Sequence, residues 1–138
     1  WTAVANSMIW CISAERLIGM KLTPIIQDIV GAGWGETPSL DELRAIGARI
    51  NQLERAFNMR EGFRRSDDTL PRRIREEAIP RGASEGWVTP QSELDKLLDD
   101  YYICRGWDLR TGIPLPATLR ELGLDREAED MQALLDAE

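Results

Sequence analysis

Apolar positions recur at helical spacing from one end of this chain to the other. Leu40, Leu43, Ile46, Ile50, Leu53 and Phe57 lay one stripe along roughly five turns. Ser39 followed by Glu42 forms a capping box at the head of that helix, worth about 1 kcal/mol, and Gly62 is a natural left-handed stop. Thr23-Pro24 and Thr89-Pro90 each pair a capping residue with a proline suited to the first helical position. They predict helices over 24–32 and 90–105, the second with Leu94, Leu97, Leu98, Tyr101 and Tyr102 on its buried side. A last helix over 125–137 carries Ala128, Met131, Leu134 and Leu135 on one face. The first helix is expected from Thr2 to Gly19. It is apolar nearly all round, so it should be buried, partly against protein outside this chain.

No segment sustains strand alternation, and no hairpin turn joins β-branched runs. The Gly- and Pro-rich pieces 31–38, 80–90 and 110–116 read as loops, and no internal repeat appears. Within the first of these, Gly31-Ala-Gly-Trp-Gly35 follows no strand and precedes no Lys–Ser/Thr pair, so it reads as a helix-ending turn and not a phosphate cradle. The predicted fold is all-α: an irregular multi-helix bundle, one domain over residues 1–138.

Length and composition agree. The chain has 138 residues, 43% of them hydrophobic and 30% charged, which suits one globular core. Its apolar runs fall short of the ~20 residues a membrane span needs. The amino end has no basic region and no small-residue cleavage site, and it starts inside an apolar run without Met, which is read as a segment of a longer polypeptide. A net charge of −7 repels phosphate backbones, so nucleic acid is not an expected partner. The Arg clusters at 60–65 and 72–75 are interleaved with acids and read as salt-bridged helix surface. There is no His, so a reaction needing an imidazole base would find it elsewhere. Two cysteines, Cys11 and Cys104, with no CxxC pattern, point to no oxidising compartment; the cytoplasm is expected.

Two dense blocks stand out from this background. One runs from Ile46 to Gly62 and continues from Arg65 through Asp67-Asp68, Leu70-Pro71 and Arg72; the other is Leu98-Asp-Asp-Tyr-Tyr-Ile-Cys-Arg-Gly-Trp-Asp108. Gly112 to Pro114 and Leu119 to Leu124 follow in order. In this combination the chain resembles the carboxy-terminal all-helical domain of the tungsten-containing aldehyde ferredoxin oxidoreductase family, over Asn6 to Leu135. The resemblance implies part of an enzyme that oxidises aldehydes to carboxylic acids, with ferredoxin as electron acceptor. It implies a 4Fe–4S cluster and a tungsten (or molybdenum) bis-molybdopterin in the full-length protein, and none in this segment alone. It also implies the remaining domains of the same polypeptide as partners, with a homodimer formed through parts outside this chain.

The resemblance places Asn6-Ser-Met-Ile-Trp-Cys11 on the family's D-x-x-G-L-C segment. That implies cofactor-binding roles for Asn6, Trp10, Cys11 and Ile12, with Cys11 as the fourth thiolate of the cluster. No catalytic residue is assigned to this chain. The sequence departs from the family at Asn6, Ile9 and Trp10. Read from the residues alone, Cys11 is a buried structural cysteine among Ile9, Trp10 and Ile12. Cys104 reads as core packing on either view.

Arg49, Glu54, Arg55, Asn58, Arg60 and Glu61 form a polar cluster along the long helix, read as scaffold, with Arg49 and Arg60 positioned to pair acids of the Asp67-Asp68 loop. Arg55 and Asn58 are expected to be tied to that loop. Trp107-Asp108 after Gly106 reads as a helix stop with an aromatic lid on the core. Two further readings stay open: a cofactor-free helical binding or assembly module derived from the family, and a relative acting on another carbonyl or an aromatic thioester.

Overall fold

The computed structural model describes residues 2–11, 13 and 22–138. These form α1 (Thr2–Ser7), α2 (Leu22–Trp34), α3 (Leu40–Arg60), a 3-10 turn (Arg65–Asp67), α4 (Arg72–Glu76), α5 (Gln91–Arg105), α6 (Pro116–Glu121) and α7 (Asp125–Asp136). No strand occurs among the described residues. One isolated antiparallel bridge joins Trp107 to Pro114. The all-α expectation holds.

The longest helix, α3, begins as predicted. The Ser39 hydroxyl accepts the Glu42 N–H at 3.2 Å, and the Glu42 carboxylate accepts the Ser39 N–H at 2.7 Å. That reciprocal bonding holds the Glu42 carboxyl below its ordinary range. Gly62, at φ 96°, turns the chain out of the helix, as Gly106 does after α5 at φ 67°. Gly35, at φ 85°, likewise turns the chain after α2.

Two apolar clusters hold the bundle. One gathers Ala56 and Met59 of α3, Ile113, Leu119, Leu124, and Ala128 and Met131 of α7, with Leu122, Leu134 and Leu135 packed against it. The other gathers Val4, Ile26 and Leu43, with Met8, Trp10, Val30 and Ile46 at its edge. Helix α3 is shared by both, and α1 and α7 pack against it. The predicted face of α7 is the buried one.

Other expectations need correction. Along the α3 stripe Leu43 is fully buried, but Leu40, Leu53 and Phe57 are exposed. Gln52 and Arg55 are buried instead. The helix turns a polar edge inward because the loop after it and the α5 end of the chain return to satisfy those polar groups. On α5 only Leu94 and Tyr102 are buried; Leu97, Tyr101 and Cys104 are exposed, so Cys104 is not core. Pro90, not Thr89, occupies the N-cap position of that helix, and its side chain makes no capping bond. Helix α1 stops at Ser7, short of Gly19, and most of the remaining predicted span lies outside the described residues. Helices α4 and α6 were not anticipated. At five and six residues, both are shorter than a periodicity can register.

Candidate functional site

The residues of the two dense blocks converge on the Arg55 side chain, which is 7% exposed. Its Nη1 donates to Asp68 Oδ1 at 2.9 Å and its Nη2 to Asp68 Oδ2 at 2.5 Å, a two-pronged pair whose planar fork matches the carboxylate. Nε donates to the Gly112 carbonyl at 2.9 Å. The fully buried Tyr102 donates its hydroxyl proton to Asp68 Oδ2. The Arg55 guanidinium also lies 4.4 Å from the Trp107 ring centroid. Burial pushes the Asp68 carboxyl up, but the bonds from Arg55 and Tyr102 and the charges of Arg55 and Arg65 outweigh it and hold the carboxyl below its ordinary range. Burial, and then the Asp68 carboxylate, push the Tyr102 phenol up to about 12.

A second set of bonds extends the latch. Gln52 Oε1 accepts the Trp107 indole N–H at 2.8 Å, and its Nε2 donates to the Arg105 carbonyl at 2.6 Å. Asp108 Oδ1 accepts the N–H groups of Arg110 and Thr111 and the Thr111 hydroxyl. Gly112 closes the turn at φ 77°. A Cβ there would stand 2.3 Å from Arg55 Nη2 and 3.0 Å from the Tyr102 hydroxyl. Only glycine meets both the backbone angle and the close approach.

The scaffold reading of the polar cluster holds for Arg55, which is tied to the Asp67-Asp68 loop as expected, and fails for Arg49, Arg60 and Asn58. Arg55 takes Asp68, whereas Arg49 donates to the Leu122 carbonyl and Arg60 pairs with Glu61. Asn58 and Glu54 are exposed, and the Asn58 side chain is not tied to the loop. Sequence reasoning missed Gln52, Tyr102 and Gly112 as members of one network. Their signal was their place inside the blocks.

The Cys11 segment has its own geometry. Ile9 N–H donates to the Asn6 carbonyl at 3.0 Å and Trp10 N–H to the Ala5 carbonyl at 2.9 Å. Those two bonds form a Schellman motif closing α1, with Ile9 in the left-handed position at φ 57°. Ile9 is 95% exposed, so packing does not compensate a conformation that costs a branched side chain about 1–2 kcal/mol. The glycine of the family pattern at this position therefore has a plain physical reason. Cys11, two residues on, is exposed and not buried among its neighbours. Asn6 is exposed. Trp10 lies half-buried against the Val4, Ile26 and Leu43 cluster, and its indole Nε1 is buried with no acceptor among the described residues. Ile12 lies outside the described residues. Among those residues no three His, Cys, Asp or Glu side chains come together as a metal site, and no helix is long and apolar enough to cross a membrane.

With this geometry in place, comparison with known proteins is direct. Residues 1–124 match the family described as "Aldehyde ferredoxin oxidoreductase, domains 2 & 3". The chain is 39% identical over 99 residues to a tungsten-containing aldehyde ferredoxin oxidoreductase of Pyrococcus horikoshii, covering 71% of this chain and 16% of that protein. It is 38% identical over 100 residues to the protein of the same description from Pyrococcus abyssi, covering 72% and 16%. A solved structure, the active site complex BamBC of benzoyl coenzyme A reductase in complex with 1,5-dienoyl-CoA, superposes with a TM-score of 0.60 at 31% identity, over 75% of this chain and 14% of that one. The chain belongs to the aldehyde ferredoxin oxidoreductase family. It spans about a sixth of the length of the curated relatives it matches.

Proposed function

We propose that this chain is one helical domain of a longer tungsten- or molybdenum-dependent bis-pterin, iron–sulfur oxidoreductase that oxidises aldehydes to carboxylic acids and passes the electrons to ferredoxin in the cytoplasm. The observation that carries the reading is the Schellman turn at Ile9, which delivers an exposed Cys11 at the end of α1. In a protein of this family that thiol would be one thiolate of a 4Fe–4S cluster, the other ligands coming from outside this chain. The buried Trp10 Nε1 is a donor in need of an acceptor, and a pterin wall would satisfy it. Asn6, one turn back, offers an amide where the family pattern has a carboxylate, so it can donate as well as accept.

When bound, the metal–pterin centre and cluster supply the two-electron oxidation and its onward transfer in single electrons. This chain contributes a wall and a thiolate. The acid–base groups come from elsewhere, in keeping with the lack of His. The Arg55–Asp68–Tyr102 latch keeps α3, the loop after it and α5 in fixed register, and the α1 turn rests on α3 through Val4 and Leu43.

Two other readings have specific support. The likeness to the benzoyl coenzyme A reductase complex favours an aromatic thioester as substrate. The departures from the family pattern at Asn6, Ile9 and Trp10 favour a cofactor-free assembly module. The test is to produce the chain with the polypeptide around it in tungstate medium, then measure tungsten, iron and aldehyde-dependent reduction of ferredoxin. Metal with aldehyde oxidation is the expected result. Metal with thioester reduction alone selects the first alternative, and absence of both metals selects the second.

A further inference from the structure

Beyond the latch, its outer side opens into a cavity of about 500 Å³ lined by Arg65, Ser66, Asp68, Thr69, Arg75, Gln91, Asp95, Leu98 and Arg110. We infer that this cavity binds a tetrahedral oxyanion, a phosphate or the phosphate of a small phosphomonoester. The donors come from three separate segments. Arg65, Ser66 and Thr69 stand on the loop after α3, Arg75 on α4, and Arg110 on the turn after α5.

The two carboxylates in the lining are already engaged. Asp68 is held by Arg55 and Tyr102, and Asp95 Oδ1 accepts Gln91 Nε2 at 2.8 Å. The arginines are posed by neutral groups as well as by acids. Arg75 Nε donates to the Leu70 carbonyl at 2.8 Å and Nη1 to Gln91 Oε1 at 2.7 Å, which fixes the fork and leaves its charge without a carboxylate partner among the described residues. Arg65 is braced by the Leu109 carbonyl at 2.9 Å and pairs with Asp99 at 2.6 Å. The Arg110 guanidinium makes no ion pair or hydrogen bond among the described residues. It acts on Asp108 only through space.

Arg75 and Arg110 thus stand in the lining without a salt-bridge partner among the described residues, in a chain whose net charge is −7. A carboxylate ligand would be satisfied by one fork. Several guanidiniums with two hydroxyls, approaching from different directions, suit an ion that accepts bonds on all sides. The cavity lies apart from the Cys11 turn, so this inference stands or falls independently of the cofactor reading.

The test is titration of the chain with inorganic phosphate and, separately, glycerol 3-phosphate, at constant ionic strength against chloride, followed by calorimetry and by the side-chain Nε–H resonances of arginine. Saturable binding that moves the Arg65, Arg75 and Arg110 signals is expected. Arg75→Gln and Arg110→Gln should each weaken it about tenfold, the loss of one charge-assisted bond. Arg44→Gln, on the exposed Asp41–Arg44 pair, should not. Arg110 is exposed and makes no bond that folding needs, so its variant stays informative if Arg75→Gln unfolds. Binding of phosphate alone assigns the free ion, and binding of the ester assigns a phosphorylated metabolite. No saturable binding, or equal binding by wild type and Arg110→Gln, overturns the inference.

Discussion

Replacing Arg55 with alanine removes the centre of the buried polar network that joins α3, the loop after it and α5. The side chain supplies both prongs to Asp68 and a bond to the Gly112 carbonyl, and it packs its guanidinium on Trp107. Without it, the Gly112 carbonyl loses its side-chain donor inside a buried turn, an omission worth about 1–3 kcal/mol. Asp68 keeps the Tyr102 hydroxyl and, being 25% exposed, regains some water. Its share therefore falls below the ~3–5 kcal/mol of a fully buried broken pair. A total near 3 kcal/mol follows, or a fall of roughly 10 °C in Tm for a domain of this size. Thermal and urea unfolding of the chain, followed by circular dichroism, measures it. Arg44→Ala, in an exposed pair, serves as the reference and should shift stability by about 0.5 kcal/mol or less. In a double-mutant cycle with Asp68→Asn, the coupling should exceed about 1 kcal/mol. An Arg55→Ala midpoint equal to that of Arg44→Ala, or a strictly additive cycle, refutes the latch.

Gly112→Ala should cost about 3 kcal/mol by urea midpoint, from the left-handed angle together with the clash on Arg55 and Tyr102; a cost under about 1 kcal/mol contradicts the packing described. Ile9→Gly should stabilise the chain by roughly 0.5–1 kcal/mol, the left-handed strain relieved less the entropy of glycine, and a lower Tm in that variant contradicts the turn geometry. Asp68 and Asp108 have depressed folded-state values, so the stability they contribute is present above the ordinary carboxylate range and lost as pH falls through and below it. Tyr102 is raised to about 12, so its contribution is full below pH ~10 and lost as pH rises through about 12. Unfolding midpoints across pH, with Asp68→Asn and Tyr102→Phe flattening the acid and alkaline limbs respectively, test both signs.

Much of the fold was legible because its cues are local. The Ser39–Glu42 box and the glycines at 62 and 106 act within one turn, and the helices they bound fall where the spacing places them. What was not legible is which face of each helix is covered. Leu53, Phe57 and Leu97 sit on good apolar stripes and yet are exposed, while Gln52 and Arg55 are buried. Apolar periodicity reports transfer from water. It does not register that Trp107 and Asp68 return from elsewhere in the chain to satisfy an amide and a guanidinium. The block pattern carried that information only as identity: Arg, Asp-Asp, Tyr-Tyr and Gly-Trp-Asp were visible as a set, but their mutual bonds were not. The same limit misplaced Cys104, whose apolar neighbours in sequence do not enclose it in space.

The most direct test of the functional account lies in the two cysteines. Both are exposed, so a packing loss cannot separate them. In the longer polypeptide, Cys11→Ser should lower iron content and lose or convert the paramagnetic signal of the reduced cluster, whereas Cys104→Ser should leave both at wild-type levels. A full, unaltered cluster in Cys11→Ser would contradict the assignment of Cys11 as a thiolate ligand and favour the assembly-module reading.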